Sequence, residues 1–146
     1  MRPNFIVNTD GGSRGNPGPA AIGIIIRDEK GVPKEYKKYI GETTNNEAEY
    51  KAMIFALQKI KALYGNKEAK KSSVKLRTDS KLLVEQLTGK CKIKKPNIQT
   101  LFIELWNLKV DFKQVDFEYV PREENSEADR LVNMALNRNE KSSNQI

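Results

Sequence analysis

The chain contains no histidine among its 146 residues. That absence removes Ser-His-Asp hydrolysis, imidazole acid–base chemistry and His-ligated zinc together. Any catalysis must rest on carboxylates, hydroxyls, lysine or a metal held by oxygen ligands. Cysteine is nearly absent too. Cys91 stands alone and cannot close an internal disulfide, so it reads as a small, half-buried side chain in a reducing, cytoplasmic setting. No stretch approaches the ~18 apolar residues of a membrane span. Met1-Arg2-Pro3-Asn4 leads directly into strand-like sequence, so neither a membrane helix nor a secretory leader is expected. What the chain has instead is charge: 26 Lys and Arg against 19 Asp and Glu, a net +7. That excess suits a polyanionic partner, although a merely soluble basic protein has the same composition. With 38% hydrophobic residues, the length fits one domain able to bury a core without disulfides or structural metal.

No internal repeat or interdomain linker interrupts the sequence. Phe5 to Thr9 is apolar and β-prone and stops at Asp10-Gly11-Gly12. A Gly- and Pro-rich loop, Ser13 to Pro19, leads to a second strand, Ala21 to Ile26. After a turn at Asp28 to Gly31, Val32 to Ile40 returns antiparallel. The period then changes. Ala52, Met53, Ala56, Leu57, Ile60 and Leu63 mark an amphipathic helix from about Asn46 to Tyr64. Val74 to Thr78 is a fourth strand, and a short helix runs from about Ser80 to Leu87. A basic segment, Lys90 to Lys95, ends at Pro96. Leu101, Phe102, Leu105, Trp106 and Leu108 belong to a further helix, Val115 to Val120 is a fifth strand, and a last helix covers Ser126 to about Arg138. This order predicts an α/β fold with a five-stranded mixed sheet: an antiparallel meander of the first three strands, then the fourth and fifth, with helices on both faces. Residues 1–138 form a single domain, and 139–146 are expected as a polar, flexible C-terminal tail.

Four acids occupy positions where apolar residues would be expected. Asp10 ends the first strand on the face of Ile6 and Asn8, and Asp79 ends the fourth on the face of Lys75 and Arg77. Both tips are where open sheets place ligands. Glu49 precedes Met53, Ala56 and Ile60 by helical spacing, and Asp129 likewise precedes Val132 and Leu136, so both continue core-facing stripes. Such an acid is costly unless a cation compensates it. Singly, each has an ordinary explanation. Asn46 to Glu49 and Ser126 to Asp129 have capping-box spacing, Asp79 can start a helix, and Asp10 can serve an Asp-Gly turn. Jointly, the four point to a divalent-metal site. Oxygen-only ligation favours Mg²⁺ or Mn²⁺ over zinc or copper.

The stretch Asp10-Gly11-Gly12-Ser13-Arg14-Gly15-Asn16-Pro17-Gly18 resembles the opening motif of type 1 ribonucleases H. Thr43-Thr44-Asn45-Asn46-Glu47-Ala48-Glu49 resembles their T-N-N-x-x-E motif, Thr78-Asp79-Ser80 their T-D-S, and Pro121 to Asp129 the segment carrying their fourth acid. The match runs in order from Phe5 to about Asn137. The resemblance implies a ribonuclease H-like fold and an enzyme that hydrolyses the RNA strand of RNA–DNA hybrids, leaving 5′-phosphate and 3′-hydroxyl ends. It implies Asp10, Glu49, Asp79 and Asp129 as catalytic, metal-holding carboxylates. They would carry two Mg²⁺ ions, with Mn²⁺ as substitute, roughly 3.5–4 Å apart across the scissile phosphate, one activating water and the other stabilising the leaving oxygen. It further implies Gly11, Gly12, Asn16, Thr44, Asn45 and Asn46 as substrate-binding residues. The glycines would allow close backbone approach, the amides would read the RNA 2′-hydroxyl and base edges, and Asn16 and Thr44 would grip a DNA-strand phosphate.

The sequence also departs from the family pattern. Many members carry a His before the fourth acid. Here Arg122, seven residues before Asp129, is the best-placed substitute, able to contact phosphate but not to act as a base. An ordinary solvent-exposed Arg beside Glu123 and Glu124 is the competing reading. The basic helical protrusion of some members has no room between Leu87 and Ile98, where Lys90, Lys92, Lys94 and Lys95 offer a partial electrostatic replacement. Two alternatives stay open: a broader nuclease that also takes double-stranded RNA, and a non-catalytic nucleic-acid-binding domain of the same fold. The expected partner is the hybrid, with no membrane or obligatory protein partner, and the expected state is a monomer.

Overall fold

Strand β1 (Phe5–Ser13) lies at the centre of the sheet, pairing antiparallel with β2 (Gly18–Arg27) and parallel with β4 (Ser73–Thr78). β3 (Pro33–Thr43) adds antiparallel to β2, and β5 (Gln114–Tyr119) adds parallel to β4, for the order β3-β2-β1-β4-β5. The computed structural model describes residues 3–144 of the chain. The expected mixed sheet is present. Met1 and Arg2, at the expected strand-like start, and Gln145 and Ile146, at the end of the expected tail, lie outside the described residues.

Helices α1 (Asn45–Tyr64) and α5 (Ser126–Asn144) flank the sheet on opposite faces. β2 explains how. Its Ile22, Ile24 and Ile26 join Met53, Leu57 and Ile60 of α1 in the main core, while Ala21 packs with Val132, Ala135 and Leu136 of α5, and Ile25 with Ala128 and Leu131. A strand buried on both faces needs a nearly unbroken apolar run, which Ala20 to Ile26 supplies. Each fully buried Ile or Leu contributes roughly 1.5–3 kcal/mol by leaving water. Gly23 lets α5 lie close: a β-carbon there would stand 2.8 Å from that of Leu131.

The elements differ from the sequence expectation in several places, among them β2, which already begins at Gly18, and β3, which runs on to Thr43. β1 does not stop at Asp10 but runs to Ser13, because Gly11, Gly12 and Ser13, poor strand formers alone, are held by pairing with Ile22, Ala21 and Ala20. A short helix, α2 (Asn66–Lys71), lies between α1 and β4. It buries only Ala69 and so leaves no periodic signal. The last helix continues through residues expected as a tail, to Asn144. Helix α3 (Lys81–Leu87) starts after Ser80, whose hydroxyl accepts from the Leu83 N–H at 3.2 Å, and α4 (Pro96–Lys109) begins at its proline. No helix among the described residues is long and apolar enough to cross a membrane.

Candidate active site

The parallel ladder between β1 and β4 ends at Asn8 and Arg77, while β1 continues beside β2. The sheet therefore opens on one side of Asp10, whose other side is paired through Gly23. β4 stops at Thr78, leaving Asp79 at its tip. Asp10 is thus not at a strand end as expected; the neighbouring strand ends instead. This is the carboxyl end of a parallel pair, where chains diverge and room for a ligand appears.

Into this opening α1 brings Glu49 from its first turns and α5 brings Asp129. A cleft of about 480 Å³ is lined by all four acids together with Gly11, Gly12, Asn45, Ser80 and Arg122. The capping-box explanation for the two helical acids loses its basis, although Asp129 does lie in the first turn of α5, where the helix dipole favours an acid. α1 is capped by Thr44, whose hydroxyl accepts from the Glu47 N–H at 3.2 Å, so Asn46 and Glu49 do not form its capping box. Ser126 already has helical angles, φ −61° and ψ −33°, continuing a 3₁₀ turn (Arg122–Asn125), whereas a capping residue is extended.

Crowding four carboxylates shifts their chemistry. Asp10 is raised from 3.8 to about 8, first by burial, then by the charges of Asp79, Asp129 and Glu49, and by sharing a hydrogen bond with Asp129. Glu49 is raised from 4.5 to about 7 by burial, opposed by the Ser80 hydroxyl and reinforced by Asp79. Asp79 is also raised by burial, but the Arg122 guanidinium pulls the other way. Glu49 Oε2 is buried with no hydrogen-bond partner. An orphaned buried carboxylate oxygen among like charges, in an all-oxygen donor set, fits a hard divalent cation. Among the described residues no three acidic, His or Cys side chains already close on one point as a finished metal cage. Mg²⁺ does not need one, since it keeps several waters and takes one or two carboxylates plus substrate phosphate.

The other expected site residues divide into two groups. Gly11, Gly12, Asn45 and Arg122 line the acidic cleft; Asn16, Thr44 and Asn46 line a second cleft of about 540 Å³ with Lys92, Lys94 and Lys95. Several of these side chains also have work inside the fold. Asn16 Oδ1 accepts from the Asn45 N–H at 3.0 Å, and Asn45 Oδ1 accepts from the Ser13 N–H at 2.8 Å, pinning the β1–β2 loop to the start of α1. Gly11 is required by packing: a β-carbon would fall into the Ala48 carbonyl and stand 2.6 Å from Glu49 N. Its smallness thus serves approach by α1, whereas Gly12 has only Val132 Cγ1 at 3.6 Å and leaves the cleft open. Asn46 Nδ2 is buried and unpartnered, a donor aimed at nothing in the protein. Asn125, which lies in the segment resembling the family's fourth motif and is 1% exposed, and its partner Asn8 received no site role from the sequence. A single buried amide gives no periodic signal, whether in a polar run like Arg122–Ser126 or an apolar one like Phe5–Thr9.

A mixed sheet ordered β3-β2-β1-β4-β5, with acids gathered where β1 and β4 part, defines a ribonuclease H-like fold bearing an acidic cleft. Comparison with known proteins places it further. The Reverse transcriptase-like family matches residues 8–135. The Bifunctional protein Rv2228c of Mycobacterium tuberculosis is 40% identical over 133 residues, covering 90% of this chain and 35% of that protein. Ribonuclease HI of Halobacterium salinarum is 39% identical over 128 residues, covering 87% of this chain and 61% of that one. The crystal structure of LC11-RNase H1 in complex with RNA/DNA hybrid superposes with a TM-score of 0.86 at 44% identity, over 92% of this chain and 97% of that one. The chain belongs to the type 1 ribonuclease H family. It spans about a third (35%) of the length of the first curated relatives it matches.

Proposed function

We propose that this chain is an endoribonuclease that hydrolyses the RNA strand of RNA–DNA hybrids, leaving 5′-phosphate and 3′-hydroxyl ends. The observation that carries the reading is the convergence of Asp10, Glu49, Asp79 and Asp129, from four different elements, on one cleft. Their unbalanced charge calls for Mg²⁺, or Mn²⁺ in its place, held by these four carboxylates. Bound divalent cations would neutralise the attacked phosphate and leaving oxygen and make a water nucleophilic at neutral pH.

The chain's own residues then orient the substrate. Asn46 Nδ2 donates to the sugar or base edges of the hybrid's minor groove. Thr44 lines the second cleft beside Asn16, and its hydroxyl, which accepts from the Glu47 N–H, can turn its proton from the Glu47 carboxylate to a DNA phosphate. Lys92, Lys94 and Lys95 extend that cleft electrostatically in place of a protrusion. Arg122, next to Asp79, holds phosphate and cannot take a proton. Residues 1–138 supply this activity as one domain, acting as a cytoplasmic monomer, consistent with the free Cys91.

The test is a set of labelled RNA–DNA hybrid, double-stranded RNA and double-stranded DNA, each with Mg²⁺, Mn²⁺ or EDTA. Cleavage of hybrid RNA alone, abolished by EDTA, is expected. Cleavage of DNA strands, or cleavage surviving EDTA, overturns the proposal. Equal cleavage of double-stranded RNA makes this the broader nuclease, and tight metal-independent binding without cleavage makes it a binding domain.

A further inference from the structure

One hydrogen-bond chain runs directly beneath the acidic cleft. Asn125 is 1% exposed and ends the 3₁₀ turn, four residues before Asp129. Its Nδ2 donates to the carbonyl of Thr9 at 2.9 Å, the residue before Asp10. Its Oδ1 accepts from Asn8 Nδ2 at 3.0 Å. Thr9 Oγ1 in turn donates to the carbonyl of Arg77 at 2.9 Å, two residues before Asp79. The elements bearing three of the four acids are thus tied together just below their carboxylates, and Asn125 is the junction reaching from α5 to β1. An amide suits this place because it needs a donor and an acceptor at once. Aspartate lacks the donor, and leucine of similar shape lacks both.

We infer that Asn125 is a positioning residue of the carboxylate site, setting Asp129 against Asp10 through its two buried bonds to β1. The inference rests on the metal-dependent reading above and deepens it. Asn125 holds the strand below the acids and lies within hydrogen-bond reach of Asp79, and it acts through the acids, as residues behind metal ligands do. Loss of such support typically weakens metal binding or activity about 10–100-fold.

The test measures Mn²⁺ binding to the nucleic-acid-free protein by paramagnetic resonance, alongside hybrid cleavage as a function of Mg²⁺. Asn125→Ala is expected to bind Mn²⁺ about tenfold more weakly and to need about tenfold more Mg²⁺ for half-maximal rate, with KM for hybrid within about twofold. Leu105→Ala, a core truncation on α4 away from the cleft, lowers stability without moving the metal midpoint. Should Asn125→Ala not fold, Asn8→Ala removes one of the two amide bonds and is expected to weaken Mn²⁺ about threefold. A folded Asn125→Ala or Asn8→Ala with an unchanged metal midpoint overturns the inference. So does a Leu105→Ala midpoint shifted as far as that of Asn125→Ala. Failure of the wild-type chain to bind Mn²⁺ removes the metal reading and this inference with it.

Discussion

Asp10→Asn should stabilise the metal-free protein at alkaline pH while destroying its function. Asp10 goes from 3.8 in the ordinary state to about 8 in the fold. A carboxyl raised on folding keeps its proton when the unfolded chain has lost its own, so stability falls as pH rises. Below about pH 4 both states are protonated and Asp10 costs nothing. From there to about pH 8 the penalty grows by about 1.4 kcal/mol per pH unit, and above pH 8 it stays constant. The interval from 3.8 to about 8 corresponds to a penalty on the order of 5 kcal/mol. Asparagine never ionises and can still donate to Asp129, so the variant escapes the penalty. For a domain of this size 1 kcal/mol moves Tm by ~3 °C, which gives a gain on the order of 10 °C at pH 8 and almost none at pH 4. Asp10 interacts with Asp79, Asp129 and Glu49, so the difference between variant and wild type reports the coupled acid cluster with Asp10 as its largest member. The assay is thermal unfolding in EDTA from pH 4 to 9. Saturating Mg²⁺ should then stabilise wild type and not the variant, closing the gap. A variant no more stable than wild type at pH 8, or a gain independent of pH, refutes the reasoning.

Other substitutions separate the roles of neighbouring residues. Glu49→Gln should lower cleavage at saturating hybrid by at least ~100-fold while raising metal-free stability above pH 7, read by steady-state rates and urea midpoints. Gly11→Ala should destabilise the fold by about 3 kcal/mol through its collision with Ala48, as a urea midpoint would record. Arg122→Ala should lower turnover about tenfold and, by removing the cation that opposes the rise of Asp79, move the acid limb of the pH–rate profile upward; unchanged turnover removes Arg122 from the mechanism. Replacing Lys92, Lys94 and Lys95 by Ala should reduce the salt slope of hybrid affinity by about 2, measured by titration at several ionic strengths.

The architecture was legible because β2 carries an unbroken apolar run and α1 a helical period, and the two helical acids were legible because they interrupt apolar stripes. Glu49 and Asp129 stood out as charges on apolar stripes, and the structure turns both toward the cleft. The end of β1 was not legible, since nothing local in Gly11-Gly12-Ser13 favours a strand; the pairing with β2 creates it. That error placed Asp10 at a strand tip when the opening beside it belongs to β4. The packing of Gly11 against Ala48 was not legible, since that neighbour is distant in sequence. Asn125 was visible in the motif-like segment before Asp129, but its role was not, because it lies in contacts with Asn8 and Thr9 across the fold.

The most direct test of the central claim compares wild type with Asp10→Asn on an RNA–DNA hybrid labelled on both strands, in Mg²⁺. Wild type should produce RNA fragments with 3′-hydroxyl ends and leave the DNA intact, and the variant should produce none. Full cleavage by Asp10→Asn, or breakage of the DNA strand by wild type, would contradict the account.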